Sequence, residues 1–219
     1  MSVARSGMAG SAPSAATPLT PRGQRTRTKL IKSARALFEK NGYLDTSIND
    51  IAHHARVAYG TFYTYFSSKE EIFAEVVTAL IADFRAIART EPRSGDSPAA
   101  RIARANRAYL MAYQANAAMM AVLEQAGTFS PRLAEIRREA RVFWVARAQM
   151  AIDSWQRQSL VKADIDPYYA ATALGSMIDR SAYVWIVLGE RFDLDTAVDQ
   201  LTRLYCAALG LPCPASFAV

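Results

Sequence analysis

Cysteine and histidine are scarce in this chain, with two of each among 219 residues. Cys206 and Cys213 both lie near the C-terminal end, too few for a disulfide framework or a metal-ligand cluster, and read as incidental thiols. His53 and His54 are adjacent, so on a helix they diverge and cannot form the i, i+4 pair of a helical metal site. No serine–histidine–acid, metal-ligand or glycine-rich phosphate-loop constellation occurs elsewhere, so no metal, no cofactor and no enzymatic activity are expected. Long apolar runs are missing too. None approaches the roughly 18 residues of a membrane span, and the opening "MSVARSGMAGSAPSAATPLT" lacks the apolar segment of a signal peptide. A cytoplasmic location without membrane attachment is expected, with residues 1–22 as a flexible basic tail. Strand-like alternation of apolar and polar residues is absent as well, which removes sheets from consideration.

What the chain does have is an uneven charge. Residues 1–70 hold ten basic and four acidic side chains, so the whole formal net charge of +6 resides there, on a body that balances to zero. A basic lobe on a neutral body suits a polyanion such as nucleic acid. Basic runs are as often the solvated face of a helix, so charge alone leaves both readings open.

Apolar residues recur at spacings of three and four, which predicts an all-α protein. Helix starts are marked by Ser97-Pro98, Ser130-Pro131 and Asp166-Pro167, each an N-cap side chain before a proline whose missing N–H costs nothing there. Asn41-Gly42 and Gly210 mark helix ends. Helices are predicted over about 25–40, 47–54, 58–65, 69–89, 98–116, 117–126, 131–158, 167–189 and 194–209.

Two short helices around the turn Ala55-Arg56-Val57, after a longer supporting helix, describe a helix-turn-helix whose second helix fits a DNA major groove. The segment "YGTFYTYF" (59–66) around that second helix is dense in rings. At about 100° per residue Phe62 and Phe66 share the inner stripe, flanked by Tyr59, Tyr63 and Tyr65. The tyrosines can bury a ring edge while a hydroxyl reaches a phosphate, and Thr61 can bond a phosphate or a base edge. Gly60 lets the backbone come close to a partner. A tyrosine-rich helix packing on the rest of the protein would have the same composition. Ser68 with Glu71 reads as a capping box that starts the next helix at Lys69, where an ammonium and free N–H groups together favour a phosphate.

Residues 30–77 resemble the DNA-binding domain of the TetR family of transcriptional regulators. The resemblance is carried by Ala-x-x-Leu-Phe (34–38), Asn41-Gly42-Tyr43, Thr46-Ser47 before Ile51-Ala52, and Gly60-Thr61-Phe62-Tyr63-Thr64-Tyr65-Phe66 followed by Ser68-Lys69-Glu70-Glu71. It implies that Thr46 and Ser47 open the second helix against phosphates, that Tyr59, Gly60 and Thr61 face the groove, and that Tyr63, Tyr65 and Lys69 hold the backbone. Two departures stand out. Arg56 occupies a turn position where the family usually has glycine, and the arginine can gain a phosphate in exchange. Ala58 replaces the usual Ser or Thr cap of the recognition helix. Arg22, Arg25, Arg27 and Lys29 precede or open the first helix, either as an arm that grips DNA, with Arg25 as the named contact, or as a source of general attraction.

The resemblance further implies a helix-turn-helix domain over 23–68 and a helical ligand-binding and dimerisation domain over 69–213. Met111, Met119, Phe143, Arg147, Met150, Met177 and Tyr183 are candidates to line a small-molecule pocket, though such residues equally fill any helical core. The last two helices are apolar over much of their circumference, so Leu174, Ile178, Ser181, Trp185, Leu201, Leu204 and Tyr205 are assigned to a two-fold interface. The expected function is a ligand-responsive homodimeric repressor on a palindromic double-stranded DNA operator, released by a small apolar or amphipathic effector. An effector-independent DNA-binding protein or an activator is the alternative, and an all-helical enzyme ranks last.

Overall fold

Thr20 and Pro21 start the first helix four residues earlier than predicted, by the same device read elsewhere in the chain. The Thr20 hydroxyl accepts the Gly23 N–H at 3.2 Å, and proline fills the first helical position. The computed structural model describes residues 19–88, 95–126 and 130–214. Pro21 and Arg22, assigned to the tail, are therefore helical, and the rest of that tail up to residue 18 lies outside the described residues.

Among the described residues the regular structure is helical throughout. In chain order the elements are α1 (Pro21–Asn41), α2 (Ile48–His54), α3 (Tyr59–Tyr63), α4 (Lys69–Ala88), α5 (Pro98–Ala115), α6 (Ala117–Ala126), α7 (Pro131–Arg157), α8 (Pro167–Ala182) and α9 (Leu194–Leu209). A wider π turn over Tyr183–Val187 continues α8. No helix among the described residues is long and apolar enough to cross a membrane. The three serine or aspartate caps before proline are made as read. Ser97 accepts from Ala100 N–H, Ser130 from Leu133 N–H, and Asp166 from both Tyr168 and Tyr169 N–H. Gly210 ends α9 with φ of 68°, in the left-handed region that glycine reaches without strain.

An N-terminal unit of α1, α2 and α3 is joined by α4 to a larger bundle. One apolar cluster runs through both. It takes Leu30, Ala34 and Phe38 from α1, Ile51 from α2 and Phe62 from α3. From α4 it takes Phe73, Val77 and Leu80, and from the bundle Tyr113, Met119 and Val198. Phe38 and Phe73 meet edge to face, centroids 4.8 Å apart. A second cluster, around Ile152, Trp155, Leu174, Tyr205 and Leu209, closes the far end of the bundle. Cys206 is buried in it, and desolvation first, then the neighbouring Cys213, pushes its thiol up to about 12.

In the bundle α9 packs on α5 and α8 packs on α7. Leu174, Leu201 and Tyr205, assigned to the interface, are buried within the chain itself. Each helix spends its most apolar stripe on its own chain. Ile178, Ser181 and Trp185 are half-buried and Leu204 is exposed. Tyr168, Tyr169 and Ala173 on α8, with Leu204, Ala207 and Ala208 on α9, are apolar positions facing outward.

One buried polar contact ties α5 to α9. The Asn106 side-chain amide donates to the Thr202 hydroxyl at 3.1 Å, and both residues are buried. Thr202→Val should destabilise the protein by about 1–3 kcal/mol, because the Asn106 amide would keep its desolvation without its acceptor. Pairing it with Asn106→Leu should recover most of that loss. Urea unfolding of the two variants checks both expectations.

Candidate nucleic-acid interface and cleft

α2 and α3 are too short to be stable alone, so tertiary contacts must hold them. Ile51 and Ala52, Ala55 in the turn, Phe62 and Phe66 are all buried and clamp the pair onto α1 and α4. The turn closes through Arg56 N–H to His53 C=O at 2.9 Å and Val57 N–H to Ala52 C=O at 3.0 Å. Arg56 adopts φ of 54°, so the residue found where glycine is usual is indeed left-handed, and its side chain is exposed. Ala58 begins α3 with no side-chain cap.

Tyr59 and Tyr63 point outward, 51% and 47% exposed. Their hydroxyls are 2.9 Å apart and their rings meet edge to face at 5.4 Å. That hydrogen bond, more than the slight desolvation, raises the Tyr63 phenol above its ordinary value. The two rings therefore form one preset outer edge of α3. Gly60 is exposed, with open space where a Cβ would stand. Thr61 is half-buried beside it. Tyr65 is half-buried too, and a Cβ on Gly23 would come within 3.6 Å of its hydroxyl, so the end of this segment lies against the first turn of α1.

Ser47 caps α2 in a reciprocal box, its hydroxyl accepting Asp50 N–H at 3.1 Å while the Asp50 carboxylate accepts Ser47 N–H at 3.0 Å. The Ser47 hydroxyl, which also donates to that carboxylate, and then the Ser47 N–H hold the Asp50 carboxyl below its usual range. Thr46 departs from expectation. It is only 1% exposed, and its hydroxyl bonds inward to the Gly42 carbonyl at 2.7 Å, so its side chain braces the α1–α2 loop and presents nothing to a phosphate.

Lys69 sits at the start of α4 as read, with a further role. Its ammonium donates to the carbonyls of Tyr43 at 2.8 Å and Leu44 at 3.2 Å and lies 4.5 Å from the Tyr43 ring centre. Partial burial lowers its pKa. Two of its three N–H bonds fasten the loop and one remains. The cap of α4 is split between two serines. Ser68 Oγ accepts Glu71 N–H, while the Glu71 carboxylate takes both the N–H and hydroxyl of Ser67, at 2.6 Å each.

The basic residues before residue 30 form a helical face. Arg22, Arg25, Lys29 and Lys32 follow spacings of three and four on α1, are all exposed, and have no ion-pair partner among the described residues. Arg27 differs, paired with Glu75 at 2.7 Å and stacked 5.1 Å from the Phe66 ring centre.

In the bundle, a small open cleft lies between α4, α5 and α7. Phe84, Tyr109, Trp144, Arg101, Arg104 and Arg147 line it, along with alanines of α5. Of the seven residues assigned to a ligand pocket, Arg147 alone lines this cleft. Met119 is core, Met111 and Met150 are exposed, and Phe143, Met177 and Tyr183 are half-buried elsewhere. Methionines and rings mark burial of any kind, whereas here the room comes from Ala105, Ala108 and Ala112, small side chains on one α5 face. That spacing was the available signal. Burial first, then the Asp179 carboxylate that its hydroxyl bonds at 2.6 Å, pushes the Tyr109 phenol well above its usual value.

Residues 30–76 match the family described as bacterial regulatory proteins, tetR family. The chain is 36% identical over 87 residues to the HTH-type transcriptional regulator TcmR of Streptomyces glaucescens, covering 40% of this chain and 38% of that protein. The chain thus spans well under half the length of this curated relative. Among solved structures, a protein of Rhodococcus sp. assigned to the TetR family superposes with a TM-score of 0.73 at 18% identity, covering 84% of this chain and 99% of that one. A protein of Saccharomonospora viridis in complex with choline gives 0.68 at 22% identity, over 83% and 95% of the two chains. At these identities the structural matches establish the fold.

Arg56→Gly should stabilise the protein by about 0.5–1 kcal/mol. Relief of left-handed strain, about 1–2 kcal/mol, exceeds the extra chain entropy of glycine, about 0.5–1 kcal/mol. A thermal melt should show a rise of roughly 2 °C for a chain of this size.

Proposed function

We propose that this chain, whose N-terminal domain belongs to the TetR family, is a homodimeric transcriptional regulator that binds a palindromic operator and leaves it when a small molecule fills the cleft. The observation that carries this reading is the placement of α4. Its first residue, Lys69, fastens the helix-turn-helix, and Phe84 and Ile87 near its last turn stand in the wall of the cleft. One rigid helix thus touches both the candidate reading head and the candidate effector site.

In this reading Tyr59, Gly60 and Thr61 face base edges while Ser47, Arg56, Tyr63, Tyr65 and Lys69 hold phosphates. The α1 face of Arg22, Arg25, Lys29 and Lys32 adds backbone attraction beside them. One five-residue α3 reads few base pairs, so two copies on a symmetric site are needed for selectivity. The outward apolar positions of α8 and α9 are offered for that pairing. Release requires that the ligand favour the DNA-incompetent arrangement by about 1–3 kcal/mol. The choline complex of the Saccharomonospora viridis protein supports a ligand-holding role for this fold.

The test is selection of binding sites from genomic DNA with the purified protein, followed by titration of the selected duplex at several salt concentrations. Arg25→Ala should weaken binding to selected and unselected duplex alike and reduce the salt slope by about one. Thr61→Ala should instead change which sites are recovered. No enrichment of any sequence would remove the regulator reading. Sedimentation at micromolar concentration should give a dimer, and Leu204→Glu should shift it toward monomer. A stable wild-type monomer there would remove the two-fold interface.

A further inference from the structure

The cleft is lined by positive charge. Three guanidinium groups line it, Arg101 and Arg104 from α5 and Arg147 from α7, and no acidic side chain is among its described lining residues. Only one of the three is neutralised. Arg104 pairs with Asp96 at 2.5 Å. Arg101 lies over the Trp155 ring, 5.7 Å from its centre, and Arg147 has no ion-pair partner among the described residues. The same walls also carry aromatic rings. Tyr109 meets Phe84 edge to face at 5.7 Å and Trp144 at 6.0 Å. The Tyr109 hydroxyl is occupied by Asp179, so the cleft sees its ring rather than its oxygen as a polar partner. Ala105, Ala108 and Ala112 leave a slot beside the rings.

We infer that the ligand of this cleft is an organic acid, an anion whose carboxylate meets the arginines and whose flat apolar body lies along Tyr109 and Trp144. This rests on the proposal that the cleft is the effector site, and it names the class of effector. Guanidinium and carboxylate match as a planar two-point pair. A neutral ligand of the same shape would cover the arginines without giving them a partner, and a cation would be repelled. Charge therefore discriminates among ligands that the apolar walls would otherwise accept alike.

The experiment is calorimetric titration of the full chain with three probes that share one ring system, 1-naphthylacetate, 1-naphthylacetamide and 1-naphthylmethylamine. The acetate should bind about tenfold or more tightly than the amide, the loss expected for a charge-assisted hydrogen bond replaced by a neutral contact. The amine should bind least. Arg147→Gln should narrow the difference between acetate and amide with the melting temperature unchanged, and Arg101→Gln should narrow it as well. Equal binding of the acetate and either other probe, a preference that survives both substitutions, or no heat from any probe would overturn the inference. Adding the selected duplex separates the two ideas. Release by the amide as readily as by the acetate keeps the switch and removes the acid class. Acetate that binds with the DNA undisturbed keeps the acid class and removes the effector role.

Discussion

The burial of α4 along nearly its whole length is the constraint from which the rest follows. Ile72, Phe73, Val76, Val77, Leu80 and Phe84 are almost fully inaccessible, the first four in the half nearer the helix-turn-helix and the last two toward the bundle. Each large apolar side chain contributes about 1.5–3 kcal/mol on burial. Such an interior is packed as densely as a molecular crystal, so α4 cannot tilt in place without opening cavities. It can move only with its neighbours. Whatever alters the wall at Phe84 and Ile87 therefore acts on a body that includes Phe38, Phe62 and the base of α3.

Polar ties at the same junction give this body an orientation. Arg35 on α1 donates to the Asn116 side-chain oxygen at 2.6 Å, joining α1 to the α5–α6 corner, and also pairs with Glu39. Glu70, in the first turn of α4, accepts a hydrogen bond from Ser130, the cap of α7. Directional bonds of this kind specify one arrangement among those an apolar surface alone would tolerate. The cleft is walled by α4, α5 and α7, the helices that these ties connect to the N-terminal unit. In the proposed switch, the site of ligand entry and the route to DNA share residues and need no separate relay.

Most helix boundaries were legible because their signals are local. A serine or aspartate before proline fixes a start through one hydrogen bond and one missing N–H, and Ser97, Ser130 and Asp166 behaved accordingly. Thr20-Pro21 carries that signal too, masked by the polar tail before it. The helix-turn-helix was legible for a different reason, a dense pattern of specific residues from Ala34 to Glu71. Facing directions were harder. Thr46 turns inward because the carbonyls of Leu37, in the last turns of α1, and of Gly42 accept its hydroxyl, and nothing in Thr46-Ser47 tells which of the two hydroxyls that will be. Leu174, Leu201 and Tyr205 look like any apolar residues on a helix with two apolar sides. Their partners, α5 and α7, lie far away in sequence, and side-chain periodicity carries no information about which neighbour claims which side. Most of the cleft lining was not legible because its room is made by alanines, residues that announce themselves only by what they fail to fill, and Arg147 alone of the assigned pocket residues reaches it.

The turn at Arg56 shows how local strain and global packing settle against each other. Left-handed arginine and an uncapped α3 together cost on the order of 2 kcal/mol. Burial of Phe62 and Phe66 alone returns more than that. Both unfavourable choices lie on the exposed rim of the turn, where the packing of Ala55 and Phe62 underneath is untouched. Neither helps folding, and each changes what the rim presents, a guanidinium where glycine would offer only backbone, and no cap side chain at the start of α3. In the proposed interface that rim meets DNA. The two departures that weaken the fold fall on the surface where an added cation and an unobstructed helix start have a use.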